Sequence, residues 1–250
     1  MNSGRFVDRR DAGRQLALRV AALKLDRPIV YALPRGGVPV AAEIAAAIDA
    51  PLDLVLVRKI GAPRQPELAV GAIVDGETPE LVINHDIVRH TGATQEYIDS
   101  ACARELAEIE RRRTRYLGNR PRPDPKGRTV IVVDDGIATG ATAIAALRAL
   151  KKRGAARRIV AVPVSPPETV ERLQAEADEV ICLLQPLDFW GISGFYVDFH
   201  QLEDEEVTRA LEAAERLGTA GIATRVVNVS TIKPIDRATI VECARGVGAI

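Results

Sequence analysis

"VIVVDDGIATGATAIAAL", Val130 to Leu147, is the stretch on which the fold turns. An apolar β-branched run ends in two acids, a row of small residues follows, and a helical pattern begins. A strand, a turn and a helix in that order place the turn at the carboxyl edge of a parallel sheet, where open α/β folds bind ligands. Asp134 and Asp135 then sit at a binding edge. Ala138, Thr139, Gly140, Ala141 and Thr142 carry no bulky side chain, so their amides can close on an anion while the two threonine hydroxyls donate further hydrogen bonds. That is a cradle for one phosphate. Carboxylates repel phosphate unless they face something neutral, such as sugar hydroxyls, or a metal ion. A phosphorylated sugar satisfies both halves. The plainer alternative is a solvated turn before a well-capped helix.

Working outward, the same alternation recurs. Ile29 to Leu33, Leu52 to Val57, Thr129 to Val133, Arg158 to Val164 and Glu179 to Leu184 read as strands. Val38 to Ile48, Thr94 to Leu117, Thr142 to Arg153 and Pro166 to Ala177 read as helices. In the longest helix Ile98, Cys102, Leu106, Ile109 and Tyr116 make one apolar stripe. The expected class is therefore α/β, a mostly parallel sheet flanked by helices. The stretch Arg58 to Gly76, "RKIGAPRQPELAVGAIVDG", breaks the rhythm with glycines, prolines and charges and reads as a long functional connection.

The 250 residues include 34 basic and 34 acidic side chains, so the net charge gives no global argument for nucleic acid or an anionic membrane. The run from Arg111 to Arg128 holds eight basic residues and one acid, the one local feature that favours an RNA contact. Cys102, Cys182 and Cys243 are too few and too scattered for a disulfide framework or a zinc site, which suits a reducing cytoplasm. The charged N-terminal stretch is not expected to be a signal peptide, and no apolar run approaches membrane-spanning length. The opening stretch lacks GxxxxGK[ST] and GxGxxG, which sets triphosphate and dinucleotide loops aside. Paired acids also occur in phosphoacceptor receiver domains, where the threonine and glycine cradle would have no purpose.

"VIVVDDGIATGAT" resembles the signature of the type I phosphoribosyltransferases throughout. The resemblance implies that Asp134 and Asp135 hold the ribose 2- and 3-hydroxyls of phosphoribosyl pyrophosphate (PRPP) and that the following loop binds its 5-phosphate. "YALPRGGVPVA" supplies a second anion turn, Arg35, Gly36 and Gly37, where the family binds pyrophosphate. Arg58 and Lys59, expected at the end of the next core strand, are similar to basic residues of a flexible loop that meets the departing pyrophosphate. The fold so implied carries a small hood. Mg²⁺ is the cofactor the family implies, held through PRPP and water rather than by direct protein ligands.

The acceptor is less legible. Ala138 stands where the 6-oxopurine branch has an aspartate, which lowers the standing of hypoxanthine or guanine. The segment "QPLDFWGISGFYVDF" offers Phe189, Trp190, Tyr196 and Phe199, which either stack on an acceptor or cap the core. Residues 1–208 are expected to form this domain. From about 209 to 250 the chain resembles part of the transketolase C-terminal domain, notably "TRVVNVSTIKPID". Its fate is open between docking on the first domain, building a homo-oligomer and persisting as a remnant. Two rivals to the transferase remain, a non-catalytic PRPP-sensing regulator that contacts RNA, and a phosphoribosyl-dependent hydrolase or phosphorylase.

Overall fold

The computed structural model describes residues 5–76, 79–118 and 120–220. In chain order the elements are α1 (Arg9–Ala21), β1 (Ile29–Ala32), α2 (Gly37–Ala47), β2 (Leu52–Leu54), β3 (Val57–Ala62), β4 (Gln65–Val74) and β5 (Glu80–Ile83). There follow α3 (His85–Thr91), α4 (Gln95–Leu117), β6 (Thr129–Val133), α5 (Ala141–Lys152), β7 (Arg157–Val164), α6 (Pro167–Gln174), β8 (Glu179–Leu184), a 3₁₀ turn (Ile192–Phe195) and α7 (Asp204–Ala220).

Five strands form a parallel sheet in the order β2-β1-β6-β7-β8. The strands are apolar on both sides because both faces are covered. Val30 and Ala32 of β1 pack with Leu16 of α1 and Ile44 of α2 on one face, while Ile29 and Tyr31 pack with Leu147 and Leu150 of α5 on the other. The strand order switches direction between β1 and β6, and both strands end at the same edge, so the loops after them meet at the switch point.

Two sequence expectations are corrected here. Leu52 to Val57 is not one strand. The parallel pairing of β2 with β1 stops at Leu54, and the chain crosses into a separate antiparallel sheet, β3-β4-β5. Arg58 to Gly76, expected as one long connection, holds the hairpin of that sheet, turning at Arg64, whose φ is +64°. Gly61 and Gly71 serve the close approach of strands, since a β-carbon on them would meet the carbonyl oxygens of Pro66 and Val82 at 2.4 and 2.6 Å. Arg58 and Lys59 therefore stand inside β3, opposite Ile73 and Ala72, rather than at a core-strand terminus.

Helix α1 lies outside the helices expected from the sequence, although Asp8 caps it by accepting from the Asp11 amide and Ala12, Leu16, Ala17 and Val20 are buried along one side. The stripe on α4 buries Ile98, Ile109 and Tyr116 and half-buries Cys102 and Leu106. Its buried Arg113 ties the small sheet to the large one, pairing with Asp53 of β2 at 3.2 Å and with Asp75, just past β4, at 2.7 Å. Helix α7 starts at Asp204 and buries Val207 and Leu211 in the same core, so it runs across the junction expected at 208. The strand expected over 224–229 and Cys243 lie outside the described residues.

Candidate phosphosugar site

The two loops singled out in the sequence are in contact. The backbone amide of Leu33 bonds the carbonyl of Val133 at 2.9 Å, and the turn Pro34-Arg35-Gly36-Gly37 folds directly onto the acids. A β-carbon at Gly36 would lie 2.1 Å from the Asp135 carboxylate, and one at Gly37 would lie 2.5 Å from the Val133 carbonyl. Glycine is needed at both positions because another backbone and a carboxylate occupy the space. The peptide between Pro34 and Arg35 is cis.

The acid loop continues as an open anion cradle. Ile137 bonds the carbonyl of Val164 at 3.0 Å, which pins the start of the loop to the end of β7. Ala138 and Thr139 are exposed, Gly140 takes φ +79°, and Ala141 and Thr142 open α5, whose first amides face the loop. No side chain caps this helix. Its N-terminal donors and dipole are thereby available to an anion. Thr169 of α6 steadies the loop by donating its hydroxyl to the Ala138 carbonyl at 2.7 Å.

The two acids differ in environment. Asp135 is 7% exposed, and its Oδ2 accepts a charged hydrogen bond from Arg9 Nε at 2.6 Å. Asp134 is half-buried, and its Oδ1 accepts from the Asp135 amide at 2.9 Å. Desolvation first, then the negative charge of Asp135, push the Asp134 carboxyl well above the usual carboxylate range, with Arg9 pulling it partly back. Ionised Asp134 is thus held at a cost that a hydrogen-bond donor would offset.

Basic groups gather opposite. Arg58 lines a small cleft with Leu33, Pro34, Arg112 and Thr142, which brings the hairpin, the glycine turn and the head of α5 to one place. Its Nε pairs with Glu105 of α4 at 2.6 Å. Lys59, on the opposite face of β3, has an exposed side chain. Arg35 lies 3.7 Å from Asp204 at the start of α7.

The aromatic group divides. Tyr196 is buried between Phe6 and Phe199, and its hydroxyl donates to the Asp135 carbonyl at 2.6 Å. It holds the acid loop in place and offers no open stacking face, which corrects its expected place in an acceptor pocket. Phe189 stacks on Phe195 with ring centroids 5.7 Å apart, and Trp190 is 98% exposed. Both follow β8 at the same carboxyl edge, and Ile192 just beyond them packs against Gly136 of the acid loop.

Much of the basic run is paired within the chain. Arg111 and Arg112 each pair with Glu108 at 2.7 Å, Arg113 is buried between two aspartates, and Arg115 meets Asp204 at 2.6 Å. Arg122 lies 3.7 Å from Asp75, and Arg128 donates to the carbonyls of Arg27 and Pro28. Among the described residues no three His, Cys, Asp or Glu side chains cluster to hold a metal, and no helix is long and apolar enough to cross a membrane. Sequence reasoning missed Arg9, because its partner lies 126 residues away and no local pattern marks the pair.

Comparison with known proteins bears on the family and the fold. The phosphoribosyl transferase domain matches residues 10–200, and the transketolase C-terminal domain matches residues 205–250. A Mycobacterium tuberculosis protein, provisionally named a phosphoribosyl transferase, is 46% identical over 84% of the chain and 47% of its own length. The chain thus spans about half the length of the curated relatives it matches. A uracil phosphoribosyltransferase of Staphylococcus saprophyticus is 43% identical over 26% of the chain and 31% of its own length. The crystal structure of TT1426 from Thermus thermophilus superposes with a TM-score of 0.74 at 47% identity, covering 83% of this chain and 97% of that one. The chain belongs to the phosphoribosyl transferase domain family.

Proposed function

We propose that the protein transfers ribose 5-phosphate from PRPP to a nitrogen acceptor, a nucleobase or related heterocycle, and releases pyrophosphate. The observation that carries this reading is the packing of Gly36 on Asp135, which joins a pyrophosphate-sized turn to an acid and phosphate loop at one sheet edge. In this assignment the amides of Ala138 to Thr142 take the 5-phosphate, Asp134 and Asp135 accept from the ribose hydroxyls, and Arg35, Gly36 and Gly37 take the pyrophosphate.

The bond from the anomeric carbon to the pyrophosphate oxygen breaks as the bond to the acceptor nitrogen forms. Negative charge accumulates on the leaving group, so a cation that strengthens its grip at that stage accelerates the step. Arg58, which lines the cleft, and its neighbour Lys59 on the other face of β3 are assigned this role. Docking of the hairpin also excludes water from an oxocarbenium-like centre. Phe189 and Trp190 are assigned to the acceptor, stacking on its ring.

The donor set fits Mg²⁺ in an indirect way. Two neighbouring carboxylates, with no third such ligand beside them among the described residues, suit a hard cation that would keep its waters and take most of its oxygens from substrate. Asp134, the more exposed acid, is the residue that would hold it, through water and the sugar hydroxyls. When bound, the ion neutralises pyrophosphate charge.

The internal pairing of much of the basic run favours the transferase over an RNA-contacting regulator, and the cytoplasmic setting stays with the transferase reading. The test is pyrophosphate release from PRPP with Mg²⁺ across a panel of purines, pyrimidines beginning with uracil, and small heterocyclic acids. Release dependent on one acceptor supports the transferase and names its substrate. Release without any acceptor favours the hydrolase, and PRPP binding without release favours the sensor.

A further inference from the structure

Arg9 stands outside both signature loops, yet it makes a short charged contact to the site. Its Nε donates to Asp135 Oδ2 at 2.6 Å, its Nη1 donates to the His200 carbonyl at 2.9 Å, and its guanidinium carbon lies 3.8 Å above the Phe199 ring. All three contacts hold a flat, rigid group in one orientation, which a lysine cannot reproduce. The Arg9 side chain is 9% exposed and so is withdrawn from water. A buried pair of this kind is strongly directional but of small net value to folding, because desolvation offsets the attraction.

The surrounding chain is built to keep Arg9 there. Phe6 bonds Phe195 and Val197 through its amide and carbonyl, both at 2.8 Å, and the Asp198 amide bonds the Val7 carbonyl at 2.9 Å. Segment 6–9 and segment 195–200 thus form one unit, and it grips Asp135 twice, by Arg9 on the carboxylate and by Tyr196 on the backbone carbonyl. Asp135 lies past the end of β6, so the grip acts on the loop that follows the strand. Two adjacent carboxylates repel each other, and Arg9 is the cation that both feel.

We propose that Arg9 is a positioning residue for the sugar half of the site. It fixes the Asp135 carboxylate by one oxygen and thereby aims the other at a ribose hydroxyl. The proposal rests on the phosphoribosyl assignment of the two acids. It divides the site into a sugar half gripped directly by the N-terminal segment and a pyrophosphate half, at Arg35 to Gly37, that borders this grip where Gly36 packs on Asp135.

The separation can be measured by calorimetry in Mg²⁺ with three probes, PRPP, ribose 5-phosphate and inorganic pyrophosphate. Arg9→Met should lower the affinity for PRPP and ribose 5-phosphate at least tenfold and leave pyrophosphate within twofold of wild type. Arg9→Lys should recover part of the loss, because the charge stays while the second donor goes. Tyr196→Phe removes one hydroxyl from the same grip and should weaken the two sugar probes in the same direction, which keeps the test available if Arg9→Met does not fold. Unchanged sugar affinity in Arg9→Met, or an equal loss for all three probes, overturns the positioning role. A wild-type protein that binds neither sugar probe overturns the phosphoribosyl reading itself, a distinct outcome.

Discussion

Gly36 packs on the Asp135 carboxylate so closely that no side chain fits at position 36. A β-carbon on Gly36 would stand 2.1 Å from the Asp135 carboxylate and 2.3 Å from its carbon. Arg9 and Gly36 flank the same oxygen, Oδ2, so the carboxylate cannot retreat without losing its charged partner. Gly36→Ala should therefore cost stability of about 1 to 3 kcal/mol through overpacking. PRPP binding should fall beyond detection while the helical content stays intact. Calorimetry and circular dichroism on the one variant check both parts.

The acid loop and the glycine turn were legible because each is written in consecutive residues. Two acids, five small residues and a helical pattern occupy Asp134 to Leu147 without interruption, and the chemistry follows from neighbours in sequence. The hairpin was not legible. Its strands alternate weakly, and Gly61 and Gly71 look like loop punctuation although each marks a close approach of backbones. The grip of Arg9 and Tyr196 on Asp135 was hidden for a different reason. It joins residues 126 and 61 positions apart, and only the completed sheet brings them together.

Asp134 carries a second prediction. Its carboxyl is raised by burial and by Asp135, so the folded state prefers it protonated. That contribution to stability is full below the unfolded value near 3.8 and is lost as pH rises through the raised folded value. Once ionised, the acid is a destabilising group retained for its ligand. Asp134→Asn should raise Tm at about pH 7.5, and the gain over wild type should shrink as the pH falls towards about 4. The same variant should bind PRPP more weakly by about 1 to 3 kcal/mol, because a charge-assisted hydrogen bond is lost. Thermal melts across pH, paired with calorimetry, would show the two effects with opposite signs.

Lys59 is assigned to the departing pyrophosphate, and kinetics can tell that role from ordinary binding. Lys59→Ala should lower kcat by more than it lowers PRPP affinity, since the charge it meets is largest after the bond begins to break. Equal losses in both would make it a ground-state contact. Its side chain is exposed on β3, so the fold should tolerate the change, and an unaltered Tm would confirm that.

Arg113 fastens the hairpin at both ends. Its guanidinium holds Asp53, in the large sheet's edge strand, and Asp75, which follows β4; Asp75 also accepts from the Leu56 amide at 2.9 Å. The stretch between these acids contains β3 with Arg58 and Lys59, so one cation sets the height of the hairpin above the cleft. Arg113→Met leaves two buried carboxylates facing each other and should cost about 3 to 5 kcal/mol. Asp75 is already raised by burial, and Arg113 is the largest influence lowering it. Without that influence its pKa climbs further, so the destabilisation should be greatest at alkaline pH and smaller near about pH 5, where protonation relieves it. Denaturant melts at mildly acidic and mildly alkaline pH test the sign. Adding Asp53→Asn and Asp75→Asn to Arg113→Met should recover stability without restoring turnover, because the repulsion is gone while the tether is still missing.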